Sequence, residues 1–126
     1  MAKIFLDTNK FIDTIYRNKR VRDELSGHEV YISPLSVHIL CYTQKIKVPS
    51  PDLNQLENDY VPINLSHKIL YKSVSGPTPD LEDNIQLHSA AEADCDYFLT
   101  NDEKILKMKF FGKTKIVNSL PQSGAL

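Results

Sequence analysis

The stretch KIFLDTN (residues 3–9) places a short apolar β-type run directly before three residues that begin helices well. Residues 4–6 form the run, and aspartate, threonine and asparagine are each good N-caps of an α-helix. Phe11, Ile12 and Ile15 then recur at helical spacing. The stretch therefore predicts a β-strand that passes directly into an α-helix.

The same alternation of short strands and helices continues along the chain. Further strands are predicted at residues 30–32, 61–63, 97–99 and 115–117, the third of them at a sheet edge because Pro62 cannot donate a hydrogen bond. No hairpin signal such as Asn-Gly separates adjacent strands. This pattern predicts one α/β domain over residues 1–126, with a central, mainly parallel sheet of four to five short strands.

Composition and charge exclude several classes of protein. Hydrophobic residues make up 41% of the 126 residues and charged residues 25%, which is typical of a globular domain and not of a disordered chain. No apolar run is long enough for a membrane span, no signal peptide is predicted, and Cys41 and Cys95 have no metal-ligand or Cys-x-x-Cys spacing. We therefore expect a cytoplasmic protein without a membrane partner.

Three aspartates fall after the predicted strands or on the helix between them. Asp7 directly follows the first strand, Asp83 lies in the first turn of the long helix, and Asp102 comes three residues after Leu99. The carboxyl ends of parallel strands meet at one edge of a sheet, where the functional crevice of such folds lies. Clustered carboxylates repel one another, and a hard cation such as Mg²⁺ offsets that repulsion. A metal site is one interpretation.

Helix capping is the other interpretation of the same residues. Asp7 is suited to cap the first helix, while Asp83 and Asp102 are favourable first-turn charges near the positive end of a helix dipole. Taken singly, each aspartate fits capping better than metal binding. The three together, each with a polar neighbour at the same sheet edge, favour metal binding.

The motifs that carry these residues resemble the PIN-domain family of metal-dependent nucleases. They are Leu6-Asp7-Thr8-Asn9, Asp80-x-x-Asp83-Asn84 and Leu99-Thr100-Asn101-Asp102, in this order. Residues 115–118 also resemble the closing strand of the family, so the resemblance extends from the first strand to the last.

The resemblance implies a three-layer α/β/α PIN-like fold whose acidic pocket binds Mg²⁺ or Mn²⁺. Carried over by motif, Asp7, Asp83 and Asp102 match the family's catalytic, metal-binding carboxylates. Asn9 and Thr100 match its polar pocket residues, and Asp80 is an auxiliary acid that competes with Asp83 as the ligand. The activity implied is hydrolysis of single-stranded or structured RNA. Many small members are toxins that pair with an antitoxin and form homodimers, so both partners are expected here.

One position departs from the family pattern. The family usually has a glutamate on the helix after the second strand, where this chain has Ile39, beside His38. An isoleucine cannot bind a cation. The alternative function is therefore a catalytically weakened PIN-like domain that binds nucleic acid or a protein partner without cleavage.

Two clusters of basic residues flank the acidic motifs. Arg17 belongs to the first, after the first helix, and Lys104 opens the second, after the last acidic motif. Lysine and arginine contacts to phosphates contribute affinity without reading sequence. We expect Arg17 and Lys104 to contact an RNA substrate.

Overall fold

A computed structural model describes residues 1–17 and 19–121, apart from the side chains of Arg17 and Lys19. The strands in this part of the chain are β1 (Lys3–Leu6), β2 (Glu29–Ile32), β3 (Val61–Pro62), β4 (Tyr97–Leu99), β5 (Phe110–Phe111) and β6 (Thr114–Val117). The α-helices are α1 (Thr8–Ile12), α2 (Lys19–Leu25), α3 (Pro34–Thr43), α4 (Leu56–Asp59), α5 (His67–Ser73), α6 (Leu81–Glu92) and α7 (Glu103–Leu106). A π-helical turn at Asp13–Arg17 and a 3₁₀ turn at Pro51–Leu53 complete the described elements.

The strands form one sheet in the order β3-β2-β1-β4-β6-β5. All neighbouring strands are parallel except β5 and β6. The chain moves outward from β1 through β2 to β3, then crosses to β4 on the other side of β1. The strand order therefore reverses between β1 and β4, where ligands bind in sheets of this kind.

Alternation along β1 divides the core between the two faces of the sheet. Ile4 and Leu6 pack on one face with residues of α1, α2 and α3, whereas Phe5 packs on the other with residues of α6 and α7. The Phe5 ring stacks on Phe98 of β4, with centroids 5.4 Å apart. Helices thus cover both faces, which confirms the predicted α/β/α layers.

The sheet has six strands in the described residues, more than the predicted four to five. The additional strand, β5, forms a hairpin with β6 through Gly112 and Lys113, and Gly112 has a φ of +60°. The sequence has no Asn-Gly signal at this hairpin, so the hairpin was not predicted. The turn was missed because it uses a Gly-Lys pair instead of Asn-Gly, between strand segments of two paired residues.

Among the residues that the structure describes, no helix has the length and apolar character needed to cross a bilayer.

Candidate active site

The backbone fixes two of the predicted site residues at the point where the strand order reverses. The amide of Asp7, directly after β1, donates to the Leu99 carbonyl (3.1 Å), and the amide of Thr100, directly after β4, donates to the Val117 carbonyl (3.0 Å). These bonds continue the parallel ladder beyond the strands. Asp7 and Thr100 therefore lie side by side at the carboxyl edge of the sheet.

Asp7 is buried, and both of its carboxylate oxygens accept hydrogen bonds. Oδ1 accepts from the Lys10 amide (2.8 Å), which makes Asp7 the N-cap of α1, and Oδ2 accepts from the Thr100 hydroxyl. Burial raises the pKa of Asp7, while the bonds from Thr100 and Lys10 partly oppose that rise. The sequence-based capping interpretation is thus correct for Asp7, and Thr100 is its direct partner.

Asp80 and Asp102 also cap helices. Asp80 Oδ1 accepts from the Asp83 amide (3.0 Å) at the start of α6, and Asp102 Oδ1 accepts from the Lys104 amide (2.8 Å) at the start of α7. Asp102 is therefore the cap itself and not a first-turn charge. Its own amide donates to the Thr100 hydroxyl (3.0 Å). Capping occupies Oδ1 of each carboxylate, and no residue that the structure describes donates a hydrogen bond to Oδ2 of either.

Asp83 differs from the other three acids. It is partly buried in the first turn of α6, and no described residue donates a hydrogen bond to its carboxylate. Burial and then the charges of Asp80, Asp102, Glu82 and Asp7 raise its pKa to about 6. These charges come from three separate parts of the chain, so the fold places the predicted carboxylates close enough to influence the pKa of Asp83.

A cavity of about 640 Å³ opens beside this cluster, and Asp80, Asp83, Asp102 and Lys104 all line it. Asp7 and Thr100 are buried and do not line it. Asn9 is exposed on α1 and is not part of the cavity lining, and the side chain of Arg17 lies outside the described part of the structure. Of the predicted substrate or pocket residues, the structure therefore places Asp80 and Lys104 at the cavity.

Lys10 is a charged residue near this site that sequence reasoning missed. Its side chain is buried, its ammonium group donates to the Asn118 carbonyl (3.1 Å) after β6, and its charge opposes the rise in the pKa of Asp7. The ammonium group offsets part of the negative charge at this edge of the sheet. The signal in the sequence was a lysine directly before the apolar pair Phe11 and Ile12 in a short helix.

Gln86 is a second missed residue, and it links α6 to the start of α1. Its buried side chain accepts from the Thr8 amide (2.8 Å) and donates to Glu82 (3.1 Å). Thr8 also shares a hydrogen bond with Ser36 of α3 (2.9 Å). These contacts hold α6, which carries Asp83, against the helix that follows Asp7.

The carboxylates at the cavity suit one hard cation that two of them would hold, and they do not form a preformed site of three ligands. Among the described residues, no three His, Cys, Asp or Glu side chains are grouped so that they could hold a metal ion as they stand. Both oxygens of Asp7 accept hydrogen bonds from the protein. Asp83 and Asp102, however, face one cavity with uncommitted oxygens, and Mg²⁺ is commonly held by one or two carboxylates with waters and a substrate phosphate.

Asp83→Asn is expected to stabilise the protein at pH 8 in the absence of divalent metal, by about 1–2 kcal/mol after allowance for screening by solvent. The folded-state pKa of about 6 lies above the usual value of 3.8. Folded protein therefore binds more protons than unfolded protein between those values, so wild-type stability falls as pH rises through this window and stays lower above it. Urea unfolding at pH 4 and pH 8 with a chelator measures the difference.

The matched control for this experiment is Glu103→Gln, which removes one exposed carboxylate in the first turn of α7. It is expected to leave the dependence of stability on pH unchanged. If Asp83→Asn destabilises the protein equally at both pH values, the pKa of Asp83 is not raised in the folded state.

Comparison with known proteins gives structural matches only. No protein-family model and no curated protein sequence matches the chain. One match is a chain of the solved structure of VapBC2 from Rickettsia felis, which is bound to a DNA fragment from the VapBC2 promoter. The TM-score is 0.66 and the sequence identity 16%, and the match covers 91% of this chain and 97% of that chain. A second match is a chain of the solved structure of FitAB bound to the IR36 DNA fragment, with a TM-score of 0.53 and 17% sequence identity. This match covers 90% of this chain and 93% of that chain. The fold is therefore PIN-like, as the motifs predicted.

Proposed function

We propose that this PIN-like chain is a ribonuclease that depends on Mg²⁺ or Mn²⁺. The observation that carries the proposal is the convergence of Asp80, Asp83 and Asp102 on one cavity at the reversal point of the sheet, with the pKa of Asp83 raised to about 6. A carboxylate with a raised pKa in a cavity is characteristic of functional sites. A bound cation would offset the negative charge that neighbouring carboxylates place around Asp83.

Asp83 and Asp102 are the residues that we propose as direct ligands of the ion. When bound, the ion would lower the pKa of an attacking water and offset negative charge on the phosphate. Asp7 lies behind them, held by Thr100 and the Lys10 amide, and joins the site as a ligand if one of those bonds is exchanged. The buried Lys10 ammonium group keeps positive charge at the same edge when no ion is bound.

Lys104 supplies a positive charge on the cavity side of the cluster. We place a backbone phosphate of the RNA between the Lys104 ammonium group and the carboxylate-held ion. In the hydrolysis, the oxygen of water bonds to phosphorus, the bond from phosphorus to O3′ breaks, and O3′ receives a proton. The products are a 5′-phosphate and a 3′-hydroxyl.

The proposal also covers the protein partners of this chain and the compartment in which it acts. The fold likeness to chains of VapBC2 and FitAB supports a toxin of a toxin-antitoxin pair, with an antitoxin as the protein partner. A homodimer is the assembly that the resemblance to small PIN-domain toxins implies. Cys41 and Cys95 are both free thiols, which supports a reducing compartment, the cytoplasm.

Ile39 favours a second candidate function, a PIN-like domain that binds RNA or a protein partner without cutting RNA. It lies on α3 one turn after Ser36, which shares a hydrogen bond with Thr8 beside Asp7, and its side chain is partly exposed. A glutamate at this position would be on the same helix face as Ser36 and close to the cluster. Without it, the site has one fewer ligand.

A Mn²⁺ titration followed by thermal unfolding tests the proposed metal site without a chosen substrate. At about one hundred times its dissociation constant, an ion that binds only folded protein adds ~2.7 kcal/mol of stability, or roughly 10 °C in a domain of this size. We expect this shift for wild type and for Glu103→Gln, and its loss in Asp83→Asn. Ile39→Glu is expected to reach the same shift at a lower Mn²⁺ concentration, because it adds a carboxylate.

Cleavage of labelled single-stranded RNA by the same proteins then separates the two candidate functions. Metal-dependent cleavage by wild type supports the nuclease. RNA binding without cleavage in wild type, combined with cleavage by Ile39→Glu, supports the weakened domain. The absence of a Mn²⁺ shift in every variant would contradict the metal site.

A further inference from the structure

The lining of the cavity beside the carboxylates includes apolar side chains that the proposed hydrolysis does not use. They are Pro77 and Pro79 from the loop before α6, and Ile105 and Met108 from α7 and the residues after it. We call these four side chains the apolar wall, and the cavity lining thus combines them with charged groups. Such sites bind ligands that combine an apolar body with an anionic group.

The apolar wall is held in place by Asn84. Asn84 Nδ2 donates to the carbonyls of Ser73 and Thr78 (both 2.9 Å), and its Oδ1 accepts from the Thr78 amide (2.9 Å) and hydroxyl (2.7 Å). Its side chain is 3% exposed. The loop that carries Pro77 and Pro79 is thus fixed to α6, so the wall exists before a ligand arrives and ordering it costs little.

The size and chemistry of the cavity match one nucleotide. Its volume of about 640 Å³ falls within the ordinary range of small-molecule sites. A nucleobase is flat and has apolar faces, and enzymes that act on nucleotides hold bases against aromatic or apolar side chains. A base in a duplex has both faces stacked on its neighbours and cannot enter, so an unpaired nucleotide is required.

Few groups in this wall are free to read the edge of a base. The Thr78 amide and hydroxyl are engaged with Asn84, and the hydroxyl also contacts Asp80. Proline, isoleucine and methionine side chains neither donate nor accept conventional hydrogen bonds. The side chains of the apolar wall therefore offer no hydrogen bond that would favour one base over another.

We propose that this cavity is a base subsite that receives one unpaired nucleotide next to the cleaved phosphate, without preference for the base. The base lies against Pro79 and Met108, and its phosphate points to Lys104 and the carboxylates. This inference rests on the proposed function and adds to it the requirement for an unpaired nucleotide and tolerance of its sequence.

Met108 allows the subsite to be observed directly. The chain has two methionines, Met1 and Met108, and Met1 is 90% exposed, away from the cavity lining. Protein labelled with ¹³C at the methionine methyl groups is titrated, in the presence of Mg²⁺, with adenosine 5′-monophosphate and with uridine 5′-monophosphate. Neither contains a phosphodiester bond, so the readout does not depend on activity.

We expect both mononucleotides to shift the Met108 signal in a saturable way, with dissociation constants within about threefold of each other, while the Met1 signal stays in place. Ribose 5-phosphate and inorganic phosphate test the phosphate alone, and Mg²⁺ alone tests the ion. If any of these shifts Met108 as far as the nucleotides do, the base does not occupy the cavity. A nucleotide titration that leaves Met108 unmoved overturns the inference.

A pair of variants locates the effect at the wall. Pro79→Asp puts a charge on the apolar side and is expected to weaken nucleotide binding at least tenfold. Val74→Asp adds the same charge at a position that is 65% exposed and outside the cavity lining, and is expected to leave binding unchanged. Equal weakening by both variants would contradict the subsite.

The outcomes separate this inference from the proposed nuclease. If Mn²⁺ stabilises the protein and RNA is cleaved, but the Met108 signal does not respond, only the base subsite is wrong. A nucleotide-dependent shift in a protein that binds no metal and cuts no RNA would support the base subsite and contradict the nuclease.

Discussion

Asp102→Asn is expected to lower metal-dependent RNA cleavage about a thousandfold while leaving the melting temperature nearly unchanged. The loss corresponds to roughly 4 kcal/mol of transition-state stabilisation, the scale of a removed charge at an ion that activates water. Asparagine caps helices as well as aspartate does, so Oδ1 still accepts from the Lys104 amide. The substitution therefore removes the charge and keeps the structure of α7.

Glu103→Gln is the control for Asp102→Asn, because it removes the same charge one residue further along, on an exposed side chain. Its cleavage rate should remain within about threefold of wild type. Initial rates on a labelled single-stranded RNA, measured across a range of Mg²⁺ concentrations, distinguish a lost ligand from a general loss of activity. Full activity of Asp102→Asn would restrict Asp102 to helix capping.

Asn84→Leu is expected to destabilise the protein by about 3 kcal/mol, or roughly 10 °C in melting temperature. Leucine has a similar volume but leaves the Ser73 carbonyl and three polar groups of Thr78 without the partners that Asn84 provides. Buried polar groups without partners cost about 1–3 kcal/mol each, and access of water to the loop reduces the sum. Denaturant unfolding measures the loss.

Asn64→Leu is the matched control, since Asn64 is exposed in the loop before α5. It is expected to change stability by less than about 0.5 kcal/mol. Asn84→Leu should also weaken nucleotide binding at the Met108 methyl group under conditions where the protein remains folded, because the wall with Pro77 and Pro79 is no longer held. Unchanged stability would show that the hydrogen bonds of Asn84 are replaced by water at no cost.

Much of the fold could be predicted because it depends on local patterns. The apolar run before Asp7 predicted β1 and the helix start, and Pro62 predicted an edge strand that the structure confirms as β3. The hairpin of β5 and β6 could not be predicted in the same way. Its strands pair over only two residues, and such short segments leave little periodicity to detect.

The candidate site was predicted in part. Helix capping by Asp7 followed from its position after β1, and the placement of Asp80 and Asp102 near helix starts was also correct. The sequence alone could not separate capping from metal binding. In the structure, Oδ1 of Asp80 and of Asp102 accepts the capping bond and no described residue donates to Oδ2, so capping does not exclude the metal-binding interpretation.

The sequence by itself determined the alternation of strands and helices, the caps and the order of the acidic motifs, because each depends on residues within a few positions of one another. Only the tertiary structure decided that Asp83 lacks a hydrogen-bond donor among the described residues, that Lys10 is buried, and that Asn84 holds the wall of a cavity. These properties depend on contacts between residues distant in sequence and on the loss of water around them. Local periodicity carries no information about either.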